Sequence, residues 1–308
     1  MTWLDYGTIF QSANKVSWAI SHAYVPTAMS SGERIRVFVA FLDEKQHGRL
    51  GYIDVSSEEP WVVIDHSKRP LIEDAVEGRF DQDGVTPLSI VSTSEGIRLY
   101  YVGWKTDDDP DIRYRLFVGA LKGDRCGNVF ERISAKPVIG PRYRDEYIRT
   151  GAFILPSQSG YHCWLATQKG MHSQNGKATP IYDLEYMRSL DGLSWPETQE
   201  TVFPHISGRI AGYGRSAIWL NRDQLFEGLF PVRNWDGSYT DILYSTSEDG
   251  INWAPLSRGG MAFRANMTCD GQKSVSFPNI IHQDGRKLMF YNGNDFGREG
   301  LRLAIWTD

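Results

Sequence analysis

The chain has 308 residues, of which 41% are hydrophobic and 13% aromatic, and it carries a formal net charge of -5 with a sequence pI near 5.8. A chain without a large basic face is a poor partner for a phosphate backbone, which argues against nucleic-acid binding. No run approaches the roughly 20 apolar residues that a membrane span needs, and residues 1–15 lack the basic start and apolar core of a signal peptide. We therefore expect a cytoplasmic protein without nucleic-acid or membrane partners.

Composition also favours an all-β fold. The aromatic share is high, and long stretches rich in Ala, Leu, Glu and Lys, which are typical of helices, are lacking. Cys126, Cys163 and Cys269 are widely spaced without a Cys-x-x-Cys pair, so we expect reduced, structural thiols. The seven His residues show no metal-ligand spacing, and there is no Walker A loop or dinucleotide glycine fingerprint, so no cofactor is expected.

In chain order, the first predicted element is the aromatic strand Thr2–Phe10, which has no partner strand nearby in the sequence. Five units follow, each with an apolar strand beginning on Pro or Ala, a polar turn and a second, aromatic-rich strand. Each unit continues with a third strand and sometimes a fourth, which is typical of the blades of a β-propeller. The units begin at Pro26, Pro87, Ala152, Ala217 and Pro278, so successive starts lie 61, 65, 65 and 61 residues apart.

The sequence thus predicts one domain, residues 1–308, with the fold of a five-bladed β-propeller. The last blade contains only three strands, because the runs Met289–Tyr291 and Leu301–Ile305 flank an Asn/Gly/Asp turn close to the end of the chain. We therefore expect residues 2–10 to supply its fourth strand and to close the ring. The blades are expected at residues 16–60, 79–135, 146–200, 209–257 and 272–308.

Two of the units share a turn, SLDGLSW at Ser189–Trp195 and SEDGINW at Ser247–Trp253, 58 residues apart. Asp supplies hydrogen bonds to the backbone of such a turn, and Gly supplies the positive φ. The Trp three residues after the Gly is expected to anchor the turn on its blade. We interpret both turns as architectural rather than catalytic.

Several segments together carry a family resemblance: SHAYVPTAM, IRVFVAFLD and LGYIDV, then FDQDGVTPLSIV with LYYVGW, SEDGINW, and MFYNGNDFGREGLRLA. They resemble the five-bladed propellers of the glycosidase superfamily, which includes arabinanases, xylosidases, fructosidases and mannoside phosphorylases. More narrowly, they resemble a bacterial subgroup that tends to accompany polysaccharide or glycoconjugate assembly. The resemblance covers essentially the whole chain. It implies an active-site funnel at one end of the ring, lined by the starts of the innermost strands and the ends of the second strands.

The carboxylates of the hydrolytic members do not carry over. Members that resemble arabinanases have an Asp before the first-blade Pro, an Asp opening blade three and a Glu opening blade four. Here these positions are Val25, the segment RTGA that begins at Arg149, and Arg215. Since hydrolysis needs two carboxyl groups that flank the scissile bond, either other residues take these roles or the protein is not an ordinary hydrolase.

Other carboxylates on the implied rim are therefore the candidates. Asp83, with Glu146 or Asp43, is the predicted acid and base pair, because several carboxylates in one cleft would raise the pKa of at least one. Asp81 lies on the same loop as Asp83 and is a candidate for substrate binding. The alternative is structural: Asp81 and Asp83 stabilise the turn before Gly84, and Asp43 caps a hairpin.

Basic residues on the implied rim point to an anionic ligand. His22, Arg149 and Arg215 come from three blades, and two guanidinium groups match phosphate or carboxylate geometry. Inorganic phosphate, a sugar phosphate, a nucleotide sugar or an acidic sugar would fit, unless each Arg pairs with a local acid, such as Arg149 with Glu146. Ser21 neighbours His22, but adjacent strand residues are expected to point to opposite faces, which argues against a catalytic triad.

Aromatic and amide side chains complete the implied funnel. Tyr24, Trp104 and Trp235 either stack on a sugar ring or belong to the core. Asn292 and Asn294 either bind sugar hydroxyls or shape their own turn. Together these features predict a glycosidase-like protein that cleaves, phosphorolyses or transfers a glycosyl unit in bacterial polysaccharide or glycoconjugate metabolism. The alternative is a non-catalytic propeller that binds a glycan or nucleotide sugar. Some superfamily members hold structural calcium in the central channel, but no residue here demands it.

Overall fold

The computed structural model describes residues 2–12, 15–109, 112–174 and 177–307, and nearly all regular structure in these ranges is β-strand. No helix within them is long and apolar enough to cross a membrane. One 3-10 turn, Ala265–Met267, and one short helical turn, Asn294–Gly297 (α1), interrupt the strands. The strands are β1 (Thr2–Phe10), β2 (Ser21–Ser31), β3 (Arg34–Leu42), β4 (Gly48–Ser56), β5 (Val63–His66), β6 (Gly84–Thr93), β7 (Gly96–Thr106), β8 (Tyr114–Gly123), β9 (Phe130–Arg132), β10 (Arg149–Ser157), β11 (Gly160–Gln174), β12 (Lys177–Ser189), β13 (Glu200–Phe203), β14 (Gly212–Tyr213), β15 (Ala217–Leu220), β16 (Phe226–Arg233), β17 (Tyr239–Ser247), β18 (Phe263–Arg264), β19 (Ser276–Gln283), β20 (Arg286–Asn292) and β21 (Leu301–Thr307).

The strands form five antiparallel groups. Groups 1 (β2–β5) and 2 (β6–β9) lie in one eight-stranded sheet, but a single parallel residue pair, Gly48 with Gly84, joins them. Group 3 contains β10–β13 in sequence order. In group 4, β14 and β15 both pair with β16, and β17 and β18 follow. Group 5 has the order β19, β20, β21 and then β1, which confirms the prediction that residues 2–10 supply a fourth strand beside the last three, by pairing with β21.

A buried polar network holds β1 in group 5. Arg302 is fully buried and binds Asp5 at 3.0 Å and both oxygens of Asp270 at 2.8 Å. The Tyr291 hydroxyl donates to Asp5 at 2.7 Å, and the Trp3 indole donates to the Met261 carbonyl at the same distance. Because a buried charge is stable only when it is paired and hydrogen-bonded, this network depends on strands from both ends of the chain.

The two Asp-Gly turns have the predicted geometry. The Asp249 carboxylate accepts from the backbone amides of Ile251 at 2.8 Å and Asn252 at 2.7 Å, and Gly250 has φ 78°. Asp191 and Gly192 repeat this arrangement in group 3. Each turn is also tied to the preceding group, because Tyr100 donates to the Gly192 carbonyl, and the Trp164 indole to that of Gly250.

The apolar core lies between the groups, since each face of a group packs on its neighbour. Successive side chains along a strand point to opposite faces of the group, where they meet side chains of the two adjoining groups. Each large apolar side chain that is buried in this way stabilises the fold by roughly 1.5–3 kcal/mol. The clusters include Phe38 with Leu99 for groups 1 and 2, Tyr100 with Ile154 for groups 2 and 3, Trp164 with Phe230 for groups 3 and 4, Leu229 with Met289 for groups 4 and 5, and Phe41 with Leu303 for groups 5 and 1.

Candidate functional site

At one end of the groups, here called the upper end, the first strand of each group begins beside the end of its second strand. This juxtaposition is the one that the sequence predicts for the funnel. The paired residues are Ser21 with Leu42, Gly84 with Trp104, Arg149 with Thr167, Gly212 with Arg233, and Ser276 with Asn292.

The first strands carry unusual backbone near this end. Val25 has φ 51° and Phe277 has φ 52°, and both residues precede the Pro that opens their repeat. Left-handed backbone is rare for a β-branched or aromatic residue and costs roughly 1–3 kcal/mol, so the surrounding structure must hold it in place. Gly151, in the equivalent position of group 3, has φ 62° at no such cost.

Arg215 lies where these strained segments meet. Its Nη2 atom donates to the carbonyl oxygens of Pro26 at 2.7 Å and Phe277 at 2.8 Å, so one side chain from group 4 joins groups 1 and 5. The side chain is 1% exposed. Burial lowers the pKa of the Arg215 guanidinium to about 9.

Arg149 points elsewhere. Its Nη1 atom donates to the Gly140 carbonyl at 2.8 Å and its Nη2 atom to Gln199 at 2.7 Å, and burial lowers its pKa. It therefore shares no hydrogen-bond partner with Arg215. The alternative partner considered from the sequence, Glu146, is hydrogen-bonded to Arg142 instead.

Two of the predicted carboxylates and Asp81 have arginine partners. Glu146 is 1% exposed and accepts from the Arg142 backbone amide at 2.7 Å and from its side chain at 3.0 Å. Asp43 accepts from two backbone amides of its own turn and from Arg49 at 2.8 Å. These contacts agree with the structural alternative, in which Asp43 caps a hairpin. Buried Asp81 receives hydrogen bonds from the side chains of Arg79, Tyr101 and Arg132.

Asp83 has a different environment. It accepts from the Thr106 backbone amide at 2.6 Å and from Gln82 at 3.1 Å, and His47 Nε2 lies 3.9 Å from its carboxylate. Burial by itself would raise the pKa of the Asp83 carboxyl, but the hydrogen bonds from Thr106 and Gln82 lower this pKa below its ordinary value. The pKa of Asp43 is also lowered, since the donors from His47 and Arg49 outweigh its burial. Neither carboxyl group therefore has the raised pKa that was expected of at least one carboxylate in the cleft.

Trp104 lies close to Asp83 and is half-buried. A Cβ on Gly84 would lie 1.9 Å from its indole nitrogen, so the glycine is required for this close approach. The rings of His47 and Tyr114 pack edge-on against the indole, with centroids 6.3 and 6.0 Å away. Tyr24 lies next to this cluster, where its hydroxyl accepts from Thr86 at 3.0 Å and burial raises its pKa to about 12.

His22 corrects one sequence-based argument. Its φ of 64° breaks the alternation of side chains along β2, so its Nδ1 atom lies 2.8 Å from the Ser21 hydroxyl rather than on the opposite face. Burial and then the positive charge of Arg298 lower the pKa of His22. The Ser21 and His22 side chains are therefore hydrogen-bonded, and the imidazole is neutral at pH 7.

The two Asn candidates are used inside the protein. Fully buried Asn292 accepts from the Val25 amide at 2.8 Å and donates to the Ala23 carbonyl at 2.9 Å, which ties group 5 to group 1. Asn294 accepts from the backbone amide of Lys273 at 2.8 Å, so it joins its turn to the loop before β19. Both side chains thus have structural partners, but these partners lie mainly outside their own turn.

Comparison with known proteins identifies the fold. No family model matches the chain. Proteins of two Mycobacterium tuberculosis strains, both named as uncharacterized, are each 24% identical over 306 residues, covering 99% of this chain and 99% of the relative. A β-1,2-mannobiose phosphorylase from Listeria innocua, solved with β-1,2-mannobiose, has a TM-score of 0.71 at 8% identity, covering 100% of this chain and 97% of that chain. A thermostable family-43 glycoside hydrolase has a TM-score of 0.68 at 13% identity, covering 96% and 93%.

The chain therefore has the β-propeller fold of glycosidase-like proteins. In this propeller, two residues at the upper end were not predicted from the sequence as site residues. His47 closes the turn that begins at Asp43. Its position just after the second strand of group 1 could have identified it as a residue of the upper end. Phe296 is 47% exposed and stacks on Phe277 with centroids 6.2 Å apart, beside Tyr239. The signal for Phe296 was its place in MFYNGNDFGREGLRLA, one of the segments that carry the family resemblance.

A long hairpin forms part of the propeller's upper end. Strands β11 and β12 run well past the pairing of Gln168 with Tyr182. His172 on this hairpin packs edge-on against Trp235 with centroids 4.9 Å apart, and Arg233 donates to the Pro180 carbonyl at 2.9 Å. The predicted aromatic candidate Trp235 thus contacts the hairpin of the neighbouring group.

The propeller has one group of possible metal ligands among its described residues, formed by Asp5, Cys269 and Asp270. Arg302 already neutralises both carboxylates, so this group is structural. Surface grooves of 390 and 490 Å³ lie at the opposite, lower end, where the first strands finish; one is lined by residues such as Glu59 and the other by Lys122. The upper site is therefore defined by its side chains rather than by these grooves.

Proposed function

We propose that this protein is a carbohydrate-active propeller that binds and transfers a glycosyl unit at its upper end. The observation that carries the proposal is the environment of Asp83. Of the three predicted catalytic carboxylates, it is the one without an arginine partner among the described residues, and it faces His47 at 3.9 Å beside Trp104. An ionised carboxylate next to an aromatic ring is suited to hold a sugar and to accept a proton from it.

The propeller is proposed to be a closed ring of five blades. Two sets of contacts support this: the first strands touch in the order β2, β6, β10, β15, β19 and again β2, and the apolar clusters join the groups in the same order. Each blade buries both faces only if its two neighbours are present. The pairing of β1 with β21 then ties the two ends of the chain together inside one blade.

Transfer from an activated sugar suits this site better than hydrolysis. The lowered pKa keeps the Asp83 carboxyl ionised at neutral pH, so it could accept the proton from an acceptor hydroxyl as the new glycosidic bond forms. The bond to the leaving group then breaks without a protein acid if that group is a phosphate or a nucleoside diphosphate. Hydrolysis of an ordinary glycoside would need a second, protonated carboxyl group. We therefore propose a sugar phosphate or nucleotide sugar as donor, in bacterial polysaccharide or glycoconjugate metabolism.

The second candidate function is binding of such a ligand without turnover. The pairing of Glu146 with Arg142 and of Asp43 with Arg49 favours it, because both carboxylates are already engaged inside the protein. A site with one carboxylate that has no arginine partner can still bind sugar hydroxyls and stack a ring.

Turnover assays with a defined panel test the proposal. The panel contains the 1-phosphates of mannose, glucose and galactose, with GDP-mannose and UDP-glucose, each with a free sugar as acceptor. We expect release of phosphate or nucleotide with at least one donor, and a fall of about 10²–10⁴-fold in Asp83→Asn. Asp43→Asn is the matched control and is expected to retain turnover, since Asp43 caps a turn.

Thermal shifts with the same panel separate the two functions. A donor at about 100 times its Kd stabilises a protein by about 2.7 kcal/mol. Stabilisation without release of phosphate or nucleotide would support binding alone. Full turnover in Asp83→Asn would refute the assignment of the base, and a panel with neither stabilisation nor turnover would refute an activated-sugar ligand.

A further inference from the structure

Arg215 differs from Arg36 and Arg302, which are buried as deeply as Arg215. Arg36 is 1% exposed and binds both oxygens of Asp54 at 2.8 Å, and Arg302 binds both oxygens of Asp270 at the same distance. Among the described residues, Arg215 has no carboxylate partner in a hydrogen bond or an ion pair. Since a buried charge without a counter-charge is strongly unfavourable, this position calls for an anion.

The guanidinium of Arg215 is only partly hydrogen-bonded. Of its five N–H bonds, the two on Nη2 are used by the carbonyl oxygens of Pro26 and Phe277. Within the described ranges, Nε and Nη1 have no hydrogen-bond partner, which leaves three N–H bonds on a side chain that is 1% exposed. Buried donors of this kind are almost always satisfied in folded proteins.

Two further buried donors are neighbours in the sequence of Arg215 or of its acceptor Phe277. Ser216 follows Arg215 directly, and Ser276 precedes Phe277, whose carbonyl receives an Arg215 hydrogen bond. Both hydroxyl groups are buried, at 0% and 1% exposure, and neither has a partner in the part of the chain that the structure describes. The segment therefore combines a cation with hydroxyl donors, which is a composition that favours a negative ligand.

The guanidinium is also held rigidly. Its two carbonyl acceptors belong to segments in which Val25 and Phe277 have left-handed backbone, each before a proline. The residue before a proline is already restricted, so these conformations persist only because the surrounding structure enforces them. A fixed guanidinium offers its free N–H bonds without loss of side-chain entropy on binding.

We propose that Arg215 is the receptor for a small inorganic anion of the size of chloride, bound at Nε and Nη1 with help from the hydroxyl groups of Ser216 and Ser276. Close packing around a side chain that is 1% exposed favours a monatomic anion over phosphate or a sugar phosphate. The anion neutralises Arg215 where the blades of groups 1, 4 and 5 meet. This inference does not depend on the proposed transfer reaction.

Bromide in crystals of the full chain locates the anion. Bromide replaces chloride and gives an anomalous signal, so crystals soaked in sodium bromide are expected to show a peak at hydrogen-bond distance from Nε or Nη1 of Arg215. A water molecule at that position, with no anomalous peak, would overturn the proposal. This experiment uses the unaltered protein, so it does not depend on whether a variant folds.

Thermal unfolding measures how far anion binding stabilises the folded protein in solution. At constant ionic strength, replacing gluconate by chloride is expected to raise the melting midpoint by about 2 °C for each tenfold increase in chloride above its Kd. Arg215→Met should lose this dependence. Arg149→Met is the matched control, since Arg149 is also buried but donates to Gly140 and Gln199, and it should retain the dependence.

Three results would contradict the proposal. Equal midpoints in chloride and gluconate would show that no small anion binds the folded state preferentially. Loss of the chloride effect in Arg149→Met, with retention in Arg215→Met, would show that the anion binds at Arg149 instead of Arg215. Stabilisation by phosphate but not by chloride would refute the assigned size of the anion.

Discussion

Replacement of Asp5 by Asn is expected to destabilise the whole protein, although Asp5 is only five residues from the start of the chain. The Asp5 carboxylate is 9% exposed and accepts four hydrogen bonds, from the Tyr291 hydroxyl, from Arg302 and from the amides of Gly7 and Cys269. An amide in its place would present a donor to at least one of these donors. The substitution keeps the size of the side chain, so it tests charge and hydrogen bonding rather than packing.

The magnitude follows from the pairing of Arg302. Breaking a buried ion pair by removing one partner costs about 3–5 kcal/mol. Arg302 keeps its two bonds to Asp270, so we expect a value near the lower limit, about 3 kcal/mol. With an m-value of about 3 kcal/mol/M in urea, the unfolding midpoint should fall by about 1 M.

Urea unfolding followed by circular dichroism is the assay, with Glu59→Gln as the matched control. Glu59 is exposed and also binds β1, through the Tyr6 hydroxyl at 2.7 Å, and it contacts Arg286. An exposed pair contributes little, so the control should leave the midpoint unchanged. A change below about 1 kcal/mol in Asp5→Asn would refute the argument that this buried network holds the first and last strands together.

The effect of Asp5 should also depend on pH. Hydrogen bonds and the charge of Arg302 outweigh burial and lower the pKa of the Asp5 carboxyl in the folded protein. Its contribution is therefore present above the unfolded pKa of about 3.8 and is lost as the pH falls through the folded pKa. The stability gap between the wild type and Asp5→Asn should narrow below about pH 4. A gap that stays constant into acid would contradict the assigned shift.

Other predictions address the ring, the site and the turns. Deletion of residues 2–10 should abolish the cooperative thermal transition rather than fray one end, and an unchanged melt would contradict ring closure. Gly84→Ala should destabilise by about 1–3 kcal/mol in urea, because a Cβ would overlap the Trp104 indole; no loss would mean that the indole moves freely. Asp249→Ala should cost about 1 kcal/mol and Asp249→Asn less, as measured by melting. Phe296→Ala should leave the melting midpoint unchanged but weaken sugar-phosphate binding in calorimetry, since its ring is exposed.

Much of the fold could be predicted because local pattern carries it. The bounds Thr2–Phe10 of the first strand are those of the structure, and the Asp-Gly turns have the hydrogen bonds and positive φ that their residues require. Apolar alternation and turn chemistry act over a few residues, so they can be read without knowing what lies across the molecule.

The candidate site was harder to predict because its polar side chains form hydrogen bonds with residues that are far away in the sequence. Asn292 binds the backbone of Val25, 267 positions earlier, and Arg215 reaches Pro26, 189 positions away. Arg149 and Arg215 occupy similar places in their repeats, yet the structure directs them to different partners.

The sequence by itself determined the β class, the strand repeat and the tight turns, since each follows from residue types at short spacing. It also predicted the pairing of the chain ends, because the last unit lacks a fourth strand. Only the tertiary structure decided which polar side chains are free at the upper end. Strained backbone at His22, Val25 and Phe277 breaks the alternation of strand side chains, and blade-to-blade packing enforces that strain. The same packing buries Arg215 without a carboxylate and leaves Asp83 beside His47.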